Sequence, residues 1–518
     1  MSFPGAAASI GGFQGSETTT AEVIFYSHSD DPIVLSAEGF GFLRAEGRRI
    51  TDKKPGLLGI NTSKVLGSAS GSFTITLKPS QSAESLFKRL VDDDWVDIVF
   101  YKHDKPWHVM RGLIDDIRRA TVVGGNGATT QAFNIVGRDF GKIWEMTPVW
   151  FDPIASSLIT EGVSRYLFQA DGEIRGNPGQ LAIIYLKRFM EEIEFYSGVN
   201  WIPPPTMPRI VPGSFLNSVE FNTLPGTDFP KYFQNVPQRE LFFPSDFSPQ
   251  GTLWDLAHQH SDPYFTEMWV DVLPNGDPYS RRLGNSDSMT TLESKMAVVM
   301  RDKPFPFVAD ADLNLTFLPV WYDLPTFVVQ RQELVGEDVG RSGMERFNAF
   351  YLATRLRQED MAQSALNLSE PTIDRQSIKR HGLRRMDVQT DTTPVLPPIP
   401  GLGVGDISLL GEFQRNLLVN WYCMNPYFLS GTLTLGRGRP DIRIGCKVHI
   451  PGKGTGPLAV VPEQVYYVEQ VNHSWMATKK MTTTLGVTRG WEGTDAEYLG
   501  QLTAVKSRFT KEKAFWTG

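Results

Sequence analysis

The chain has 518 residues, a length that predicts roughly three to four domains rather than one core. Hydrophobic residues make up 41% and charged residues 21%, which is typical of a globular protein. The formal net charge of -7 argues against a general nucleic-acid binder, because that class carries an excess of basic residues.

Two cysteines, Cys423 and Cys446, exclude a disulfide framework and a four-cysteine zinc site. Both lie in apolar segments, which predicts buried and inert thiols. Residues 1–20 contain no Lys or Arg, so they do not form a signal peptide, and their small polar residues predict a flexible arm. With apolar runs far below the roughly 20 residues of a membrane span, we expect a reducing, aqueous compartment and no stable membrane insertion.

Residues 21–145 predict a first β-barrel domain made of consecutive strands. Ser72–Leu77 alternates apolar and polar residues at the two-residue period of a half-buried strand. Helical spacing within Ser80–Val91 predicts one short helix, and Gly124–Gly127 predicts a hairpin turn.

Residues 146–310 predict a mixed α+β middle domain. Leu181–Ser197 has the apolar spacing of an amphipathic helix. Ser248–Ser261 has it too, and Thr252 is a candidate cap for its start. A strand over Phe265–Val272 and a tight turn at Asn275-Gly276 follow.

Residues 311–495 predict a second β-barrel domain, interrupted by a Pro/Gly-rich loop at about 355–410. Phe347–Ala353 fits a strand or a helix equally well. The spacing of Leu417, Leu418, Trp421 and Tyr422 predicts a helix. Residues 496–518 are expected to form a C-terminal tail.

Leu429–Gly490 predicts four antiparallel strands with alternating faces. They are Gly431–Gly436, Asp441–Ile450, Tyr466–Trp475 and Met481–Gly490. In Asp441–Ile450 we expect the apolar residues to point inward and the charged residues outward.

An internal duplication connects this unit to residues 21–145. Ile114-Asp115-Asp116-Ile117 and Val468-Glu469-Gln470-Val471 each place a polar pair between apolar residues, which predicts a β-bulge in each strand. A turn and a threonine-rich strand follow in both regions. The fold class is therefore mainly β, with two similar antiparallel barrel domains flanking a mixed α/β region.

Several segments offer candidate chemistry, and each has a simpler structural reading. His258 and His260 lie two apart on a predicted helix, where they point about 200° apart and do not chelate one ion. Asp92–Asp94 is interpreted as an acidic turn. Gly401–Gly405 is interpreted as a linker. Gly436–Pro440 is interpreted as a hairpin turn rather than a phosphate site. His473 is expected to be packed or at a rim. The sequence predicts no catalytic, cofactor-binding or metal residues and no cofactor, so we expect the protein not to be an enzyme.

Five short stretches carry a resemblance to a known family. They are Val136–Asp139, Leu253–Asp271, Met300–Phe305, Gly431–Ile450, and Tyr467–His473 with Thr482–Gly490. In these the chain resembles the baseplate hub proteins of contractile-tailed bacteriophages, related to the late control protein D family and to the hub part of type VI secretion spikes.

The resemblance implies a homotrimer whose two similar barrels per chain form a pseudo-six-fold ring. Such a ring joins a six-fold tail tube to a three-fold central spike and lets DNA pass. The implied partners are the tail tube protein, the central spike or needle protein, other baseplate proteins and the tape measure protein. The implied location is the virion tail baseplate, with assembly in the host cytoplasm.

Two other classes of function remain open at this stage. One is a tail-associated peptidoglycan hydrolase with residues 146–310 as its catalytic domain, although no paired carboxylates stand out there. The other is a carbohydrate-binding adhesin, suggested by 12 Trp and 32 Phe.

Overall fold

The structure is a computed structural model that describes somewhat more than half of the chain. The described residues are 19–27, 32–36, 40–43, 49–52, 56–78, 88–102, 105–123, 129–148, 186–187, 190, 203–204, 207, 215–223, 239–241, 251–261, 263–273, 294–304, 307–309, 315–317, 321, 324–354, 371–390, 392–394, 415–452, 462–477, 479–493 and 495–511. The predicted Gly124–Gly127 turn, the Asn275-Gly276 turn, residues 1–18, Gly401–Gly405 and most of Leu181–Ser197 lie outside them.

Within the described residues the chain is mostly antiparallel β. The strands are β1 Thr19–Tyr26, β2 Ile33–Ser36, β3 Phe40–Leu43, β4 Arg49–Asp52, β5 Leu57–Val65, β6 Ser72–Leu77, β7 Trp95–Lys102, β8 Lys105–Val123, β9 Thr129–Asp139, β10 Val219–Thr223, β11 Arg239–Leu241, β12 Thr266–Leu273, β13 Lys295–Asp302, β14 Phe307–Ala309, β15 Leu315–Phe317, β16 Thr326–Val328, β17 Leu334–Gly340, β18 Ala349–Thr354, β19 Thr372–Asp374, β20 Arg385–Thr390, β21 Thr392–Pro394, β22 Leu429–Leu435, β23 Lys447–Ile450, β24 Gln464–Met476, β25 Lys479–Glu492 and β26 Phe509–Lys511.

The described helices connect or cover these strands. The α-helices are α1 Lys142–Met146, α2 Leu253–His260, α3 Arg375–His381, α4 at residues 415–422 and α5 Asp495–Lys506. Short 3₁₀ helices are Leu216–Ser218, Arg331–Glu333 and Asn425–Tyr427.

One 15-stranded sheet contains strands from both ends of the chain. Its order is β17-β22-β25-β24-β5-β6-β9-β8-β7-β1-β2-β3-β4, and β23 pairs with both β24 and β16 beside this path. Smaller sheets are β10-β13-β12, β11-β21, β14-β15 and β20-β18-β19-β26. The prediction of a mainly β chain is confirmed.

The small sheet β10-β13-β12 lies between two hydrophobic cores. Met268, Val270 and Val272 on one face of β12 join a core with Trp144 and α2, while Trp269 and Leu273 on the other face join the core around β22–β25. Every residue of β12 is buried, because both faces are covered. The middle region is therefore packed against the strands at both ends of the chain.

Several local predictions are confirmed by the structure. Ser72–Leu77 is β6, with Phe73, Ile75 and Leu77 buried. Thr252 caps α2 in a reciprocal capping box with Asp255. The open choice at Phe347–Ala353 is decided as β18, because Ala349–Thr354 pairs with β20.

Three predictions for Asp441–Ile450 and for the segment after residue 495 are wrong. Only Lys447–Ile450 of the predicted strand Asp441–Ile450 is a strand, because Gly445 has a φ of +72° and the preceding residues form turns. The charged side chains of Asp441 and Arg443 are buried rather than outward. The segment after residue 495 contains helix α5 and strand β26, which pairs with β19, so most of it is an integral part of the fold.

Gly137 provides a direct test of the strand packing. A Cβ atom at this position would lie 2.2 Å from the Leu113 carbonyl oxygen and 2.3 Å from the Phe73 ring. We expect Gly137→Ala to lower the free energy of unfolding by about 3 kcal/mol, since backbone and ring would both have to move. Urea unfolding of the full chain measures the change.

The matched control is Gly500→Ala in α5, where an added Cβ meets no atom within 4 Å. This variant should be stabilised by up to about 1 kcal/mol, because alanine favours the helix interior over glycine. Equal urea midpoints for the two variants would contradict the packing described for Gly137.

Candidate assembly interface

Strands β5 and β24 form a seam between the N-terminal and C-terminal parts of the large sheet. Residues Gly59–Val65 pair antiparallel with Gln470–Met476, from Met476 opposite Gly59 to Gln470 opposite Val65. The backbone N–H of Leu66 donates to the Glu469 carbonyl at 2.7 Å and extends the pairing by one bond. Two distant segments thus become neighbours through main-chain hydrogen bonds.

Side chains on the inner face of the seam are packed. Ile60 lies opposite Trp475, and both are buried. The Trp475 indole N–H donates to the Thr19 carbonyl at 2.7 Å. Thr62 lies opposite His473, whose Nδ1 is 2.9 Å from the Thr483 hydroxyl. Burial lowers the pKa of His473 to about 3, so this residue is neutral and part of the packing.

A buried ionic cluster lies beside the seam. Lys64 Nζ on β5 is 2.7 Å from Asp271 Oδ1 on β12, and Arg443 Nη1 reaches the same oxygen at 3.1 Å. Arg443 Nη2 also donates to the His108 carbonyl on β8 at 2.7 Å. Burial alone would raise the pKa of Asp271, but the charges of Lys64 and Arg443 lower it. One carboxylate therefore ties the middle sheet to an N-terminal strand and to the C-terminal segment before β23.

Asp139 on β9 belongs to the same cluster but is poorly satisfied. Its Oδ1 accepts the Gly141 N–H at 3.2 Å, while its Oδ2 is 4.0 Å from Lys64 Nζ and has no hydrogen-bond partner among the described residues. Burial raises the pKa of Asp139 to about 7, against the opposing charge of Lys64.

Two motifs of the family resemblance have structural roles. Arg301 Nη2 on β13 donates to the Gly445 carbonyl at 2.7 Å and to the Tyr467 hydroxyl at 2.6 Å, while the same guanidinium pairs with Glu267 at 3.0 Å. Arg138 on β9 binds both carboxylate oxygens of Asp115, at 2.9 and 3.1 Å. These residues hold turns and bulges in place.

The large sheet contains the same strand pairing twice. The order β5-β6-β9-β8-β7 in the N-terminal part matches β17-β22-β25-β24-β23 in the C-terminal part. In the first set the register of β8 shifts between Ile114 and Asp116; in the second, that of β24 shifts between Val468 and Gln470. The two bulges predicted from the sequence are therefore present at equivalent places.

The repeat extends to individual residues. Ser72–Leu77 and Ser430–Leu435 occupy matching positions, and both sequences read Ser-x-Thr-x-Thr-Leu. A second bulge matches as well, between Leu57 and Gly59 in β5 and between Leu334 and Gly336 in β17. The shared Leu-x-Gly and Ser-x-Thr-x-Thr-Leu patterns are further sequence signals of the duplication, beyond the polar pairs at the bulges.

Matching hydrogen bonds surround the two bulges. Asp93 and Gly445 both have positive φ, +65° and +72°, and their N–H groups donate to the carbonyls of Ile114 and Val468. Each bulge carboxylate is held from the neighbouring strand, Asp115 by Arg138 and Glu469 by the Thr488 hydroxyl at 2.8 Å. The repeat is thus a repeat of backbone geometry with different side chains.

Among the described strands, the repeat has one occupied seam and two edges without a partner strand. By equivalence, Arg118–Val122 of β8 corresponds to Asn472–Met476 of β24, which pairs with Gly59–Ser63 of β5, and β17 corresponds to β5 itself. In the described part of the chain, no strand pairs with the outer edge of β17 or with the edge of β8 after Leu113 that faces away from β9.

The two unpaired edges carry opposite charges. Arg118 and Arg119 on β8 are exposed, as are Glu337 and Asp338 on β17. Arg118 forms an exposed ion pair with Asp116, and the Arg119 guanidinium lies 5.3 Å from the Phe133 ring centre. Main-chain groups and charges of these edges are therefore complementary.

The residues that the sequence offered as site candidates lie in different parts of the fold. His258 lies near the end of α2 and is half-buried; the side chain of His260 is outside the described residues. Asp93 pairs with Lys142 at 2.6 Å, and Asp94 accepts the Val91 N–H at 3.0 Å. Among the described residues, no group of three or more His, Cys, Asp or Glu side chains could hold a metal ion.

The interpretation of Gly436–Pro440 as a hairpin turn is wrong, because β22 and β23 do not pair with each other. Arg439 is buried there and binds Asp441 at 2.7 Å and Glu333 at 3.2 Å. This double pairing fixes the chain reversal. Cys423 and Cys446 are buried and unbridged, and burial raises the pKa of Cys423 to about 12. No described helix is long and apolar enough to cross a membrane.

Comparison with solved structures finds tail proteins over most of the chain. A tail protein from Neisseria meningitidis MC58 shares 12% identity at a TM-score of 0.44, with 91% of this chain and 96% of that chain covered. The 43 kDa tail protein of prophage MuSo2 from Shewanella oneidensis shares 11% identity at 0.40, with 92% and 97% covered.

An Escherichia coli component of the type VI secretion system, described as structurally similar to the T4 tail proteins gp27 and gp5, shares 8% identity at a TM-score of 0.32. The match covers 85% of this chain and 74% of that chain. No family model and no curated protein matches by sequence. The solved structures that this chain is similar to are thus tail proteins and a type VI secretion component.

The ionic cluster predicts a large effect of removing its carboxylate. Asp271→Asn leaves Lys64 and Arg443 buried without their shared counter-charge. We expect the free energy of unfolding to fall by about 3–5 kcal/mol. The control is Asp387→Asn, which removes an exposed pair with Arg385 and should cost less than about 1 kcal/mol. Equal effects in urea unfolding would refute the role of Asp271.

Asp139 predicts a pH dependence of stability. Its pKa is about 7 in the folded chain against an ordinary value of 3.8, so folding takes up a proton between these values. Its contribution to stability is complete below about pH 4 and is lost as the pH rises through about 7.

Asp139→Asn should therefore flatten the decline in unfolding free energy between pH 4 and pH 8 and gain stability relative to the original chain at the upper end. Urea midpoints at stepped pH values measure this, and Asp387→Asn, an exposed carboxyl, should follow the original profile. An unchanged slope in Asp139→Asn would show that this carboxyl does not titrate in that range.

Proposed function

We propose that this chain is a structural hub of a phage tail baseplate, in which three copies close a ring of six similar strand units. The observation that supports it is the repeated pairing order, with one seam occupied within the chain and two complementary edges unpaired in its described part. An unpaired strand edge is a template for another chain unless it is blunted or covered.

The occupied seam supplies a register for the proposed contact between copies. Transferred to the unpaired edges, it places Arg118 of one copy opposite Gly340 of the next, and Val122 opposite Gly336. Arg119 then lies diagonal to Glu337 and Arg118 diagonal to Asp338, on the same faces of the joined sheet. Opposite charges at these positions favour this pairing over others.

A head-to-tail contact of this kind generates a closed ring if the rotation between successive units closes, and an open filament if it does not. If the contact between copies repeats the geometry of the seam within the chain, all junctions are alike. Six such units close when each junction turns by about 60°. Because each chain contributes two units, a ring of six units contains three copies of the chain. The two-barrel arrangement of one chain would be the building block of that ring.

The parts of the chain outside the repeat suit a three-fold symmetry. The sheets β10-β13-β12 and β20-β18-β19-β26 each occur once in the described chain, so a trimer presents three copies of each. One side of the ring could then match a six-fold tail tube protein, and the other a three-fold central spike or needle protein. Other baseplate proteins and the tape measure protein would complete the surroundings in the virion.

The net charge of -7 is compatible with a channel through which DNA passes without being retained. In this proposal the chain performs no chemistry, and its function is protein–protein contact. The hydrolase alternative predicts clearing of a suspension of purified peptidoglycan. Absence of clearing, together with normal assembly of His258→Ala and His260→Ala variants, would remove that alternative.

Cysteine cross-linking tests the proposed junction. Arg119→Cys and Val339→Cys in one chain place thiols on directly opposite residues of the proposed strand pair, within the reach of a disulfide. We expect mild oxidation to yield a covalent trimer on a non-reducing gel, with dimers as intermediates. Cys423 and Cys446 are buried, so they contribute little background.

The matched control combines Arg118→Cys with Val339→Cys, whose side chains point to opposite faces and should not cross-link. Light scattering of the original chain should give a trimer mass. A stable monomer at all concentrations, equal cross-linking of the control, or a ladder beyond three chains would each reject the closed ring.

A further inference from the structure

A second charged surface lies outside the repeat, on the sheet β20-β18-β19-β26 and helix α3. Its described segments, 343–354 and 371–390, contain six basic side chains and only three carboxylates, in a chain whose net charge is -7. The basic residues are Arg346, Arg375, Lys379, Arg380, Arg384 and Arg385. We call this surface the basic face.

The carboxylates of the basic face are largely occupied. Asp387 pairs with Arg385 at 2.6 Å. Asp374 Oδ1 accepts the Ser377 N–H at 2.9 Å as the cap of α3, and its Oδ2 lies 3.6 Å from Arg508 Nε. The third, Glu345, is exposed. Within segments 343–354 and 371–390, the basic side chains therefore outnumber the carboxylates six to three.

Three of the six basic side chains, those of Arg384, Lys379 and Arg380, form no ion pair with a carboxylate of the described residues. Arg384 Nη1 donates to the neutral Gly343 carbonyl at 2.7 Å. Lys379 and Arg380 are exposed and form no ion pair with a described residue. The pKa of His381 is lowered by desolvation and by the nearby charges of Arg346, Arg380 and Arg384, so the ring is neutral near pH 7.

A cavity of about 150 Å³ opens within the basic face. Arg346, Arg380, His381 and Arg508 line it, with Asp374 as the carboxylate among them. Its apolar lining includes Phe347, Tyr427 and Phe509. A cavity of this size accommodates one small acidic side chain: its carboxylate would meet the guanidinium groups and its methylene groups the aromatic rings.

Apolar side chains stand exposed next to the cations. Met344 is 87% exposed and Leu383 is 51% exposed. Nucleic acid offers phosphates to arginines but little apolar surface for such residues, whereas a protein segment offers both. The carboxylate of Asp374 inside the cavity also disfavours a doubly charged phosphate there.

We propose that the basic face binds an acidic, apolar-containing segment of another protein, with one Asp or Glu side chain inserted into the cavity between Arg346, Arg380 and Arg508. The interaction does not depend on the proposed ring, because α3 is not part of β8 or β17, the strands whose edges would form the contact between copies. It assigns the α3 surface to a neighbour that brings negative charge.

A fluorescein-labelled peptide of alternating Glu and Leu or Ala, and the same peptide with Gln for Glu, serve as probes for the full-length chain. In fluorescence anisotropy at low salt we expect the Glu peptide to bind and the Gln peptide to bind at least about tenfold more weakly. Lys379→Glu with Arg380→Glu should weaken Glu-peptide binding by about tenfold, because two attractions become repulsions. Both sites are exposed, so an unchanged melting temperature is expected.

The matched control reverses two exposed lysines elsewhere, Lys78→Glu with Lys88→Glu, and should leave binding of the Glu peptide unchanged. An equal loss in the control would show attraction by overall charge and reject the site. Tighter binding of a twenty-residue oligothymidylate, lost in the α3 variant, would assign the surface to nucleic acid instead. Complete displacement of the peptide by 1 mM inorganic phosphate, a concentration of about the order at which weak ion sites fill, would reduce it to a simple anion site.

Discussion

The main-chain pairing of β5 with β24 is the constraint on which the rest of the large sheet depends. It joins segments about 400 residues apart into one surface, and the alternation of side chains permits only one register. The ionic cluster of Lys64, Asp271 and Arg443 reinforces that register from the side, because a slip would leave buried charges unpaired. The seam also sets the geometry that a neighbouring copy would have to repeat.

The repeat preserves backbone features and lets side chains vary. The bulges, the positive-φ residues Asp93 and Gly445 and the carboxylates of Asp115 and Glu469 recur at matching positions. Side chains at the seam differ: Ile60 is buried, whereas its equivalent Glu337 is exposed. In the proposed assembly, an apolar junction within the chain and a charged junction between chains would follow from one backbone plan. The charged edge would then disfavour indiscriminate pairing of a separate chain.

Much of the local structure could be predicted from residue patterns. Alternation placed β6, helical spacing and a capping threonine placed α2, and the polar pairs at Asp115 and Glu469 placed both bulges. The candidate interface could not be predicted in the same way. The main-chain groups of a strand edge are the same for any sequence, so no residue pattern marks them. The pairing of β5 with β24 also joins segments that are far apart in the sequence.

The sequence by itself determined the mainly β class, the duplication and the positions of its bulges, because these depend on neighbours along the chain. Only the tertiary structure decided that Arg439, Asp441 and Arg443 are buried rather than outward. Burial of a charge depends on whether a distant partner arrives, as Asp271 does for Arg443. The tertiary structure alone also decided which strand edges are occupied, since an edge is defined by the strands that other parts of the chain bring to it.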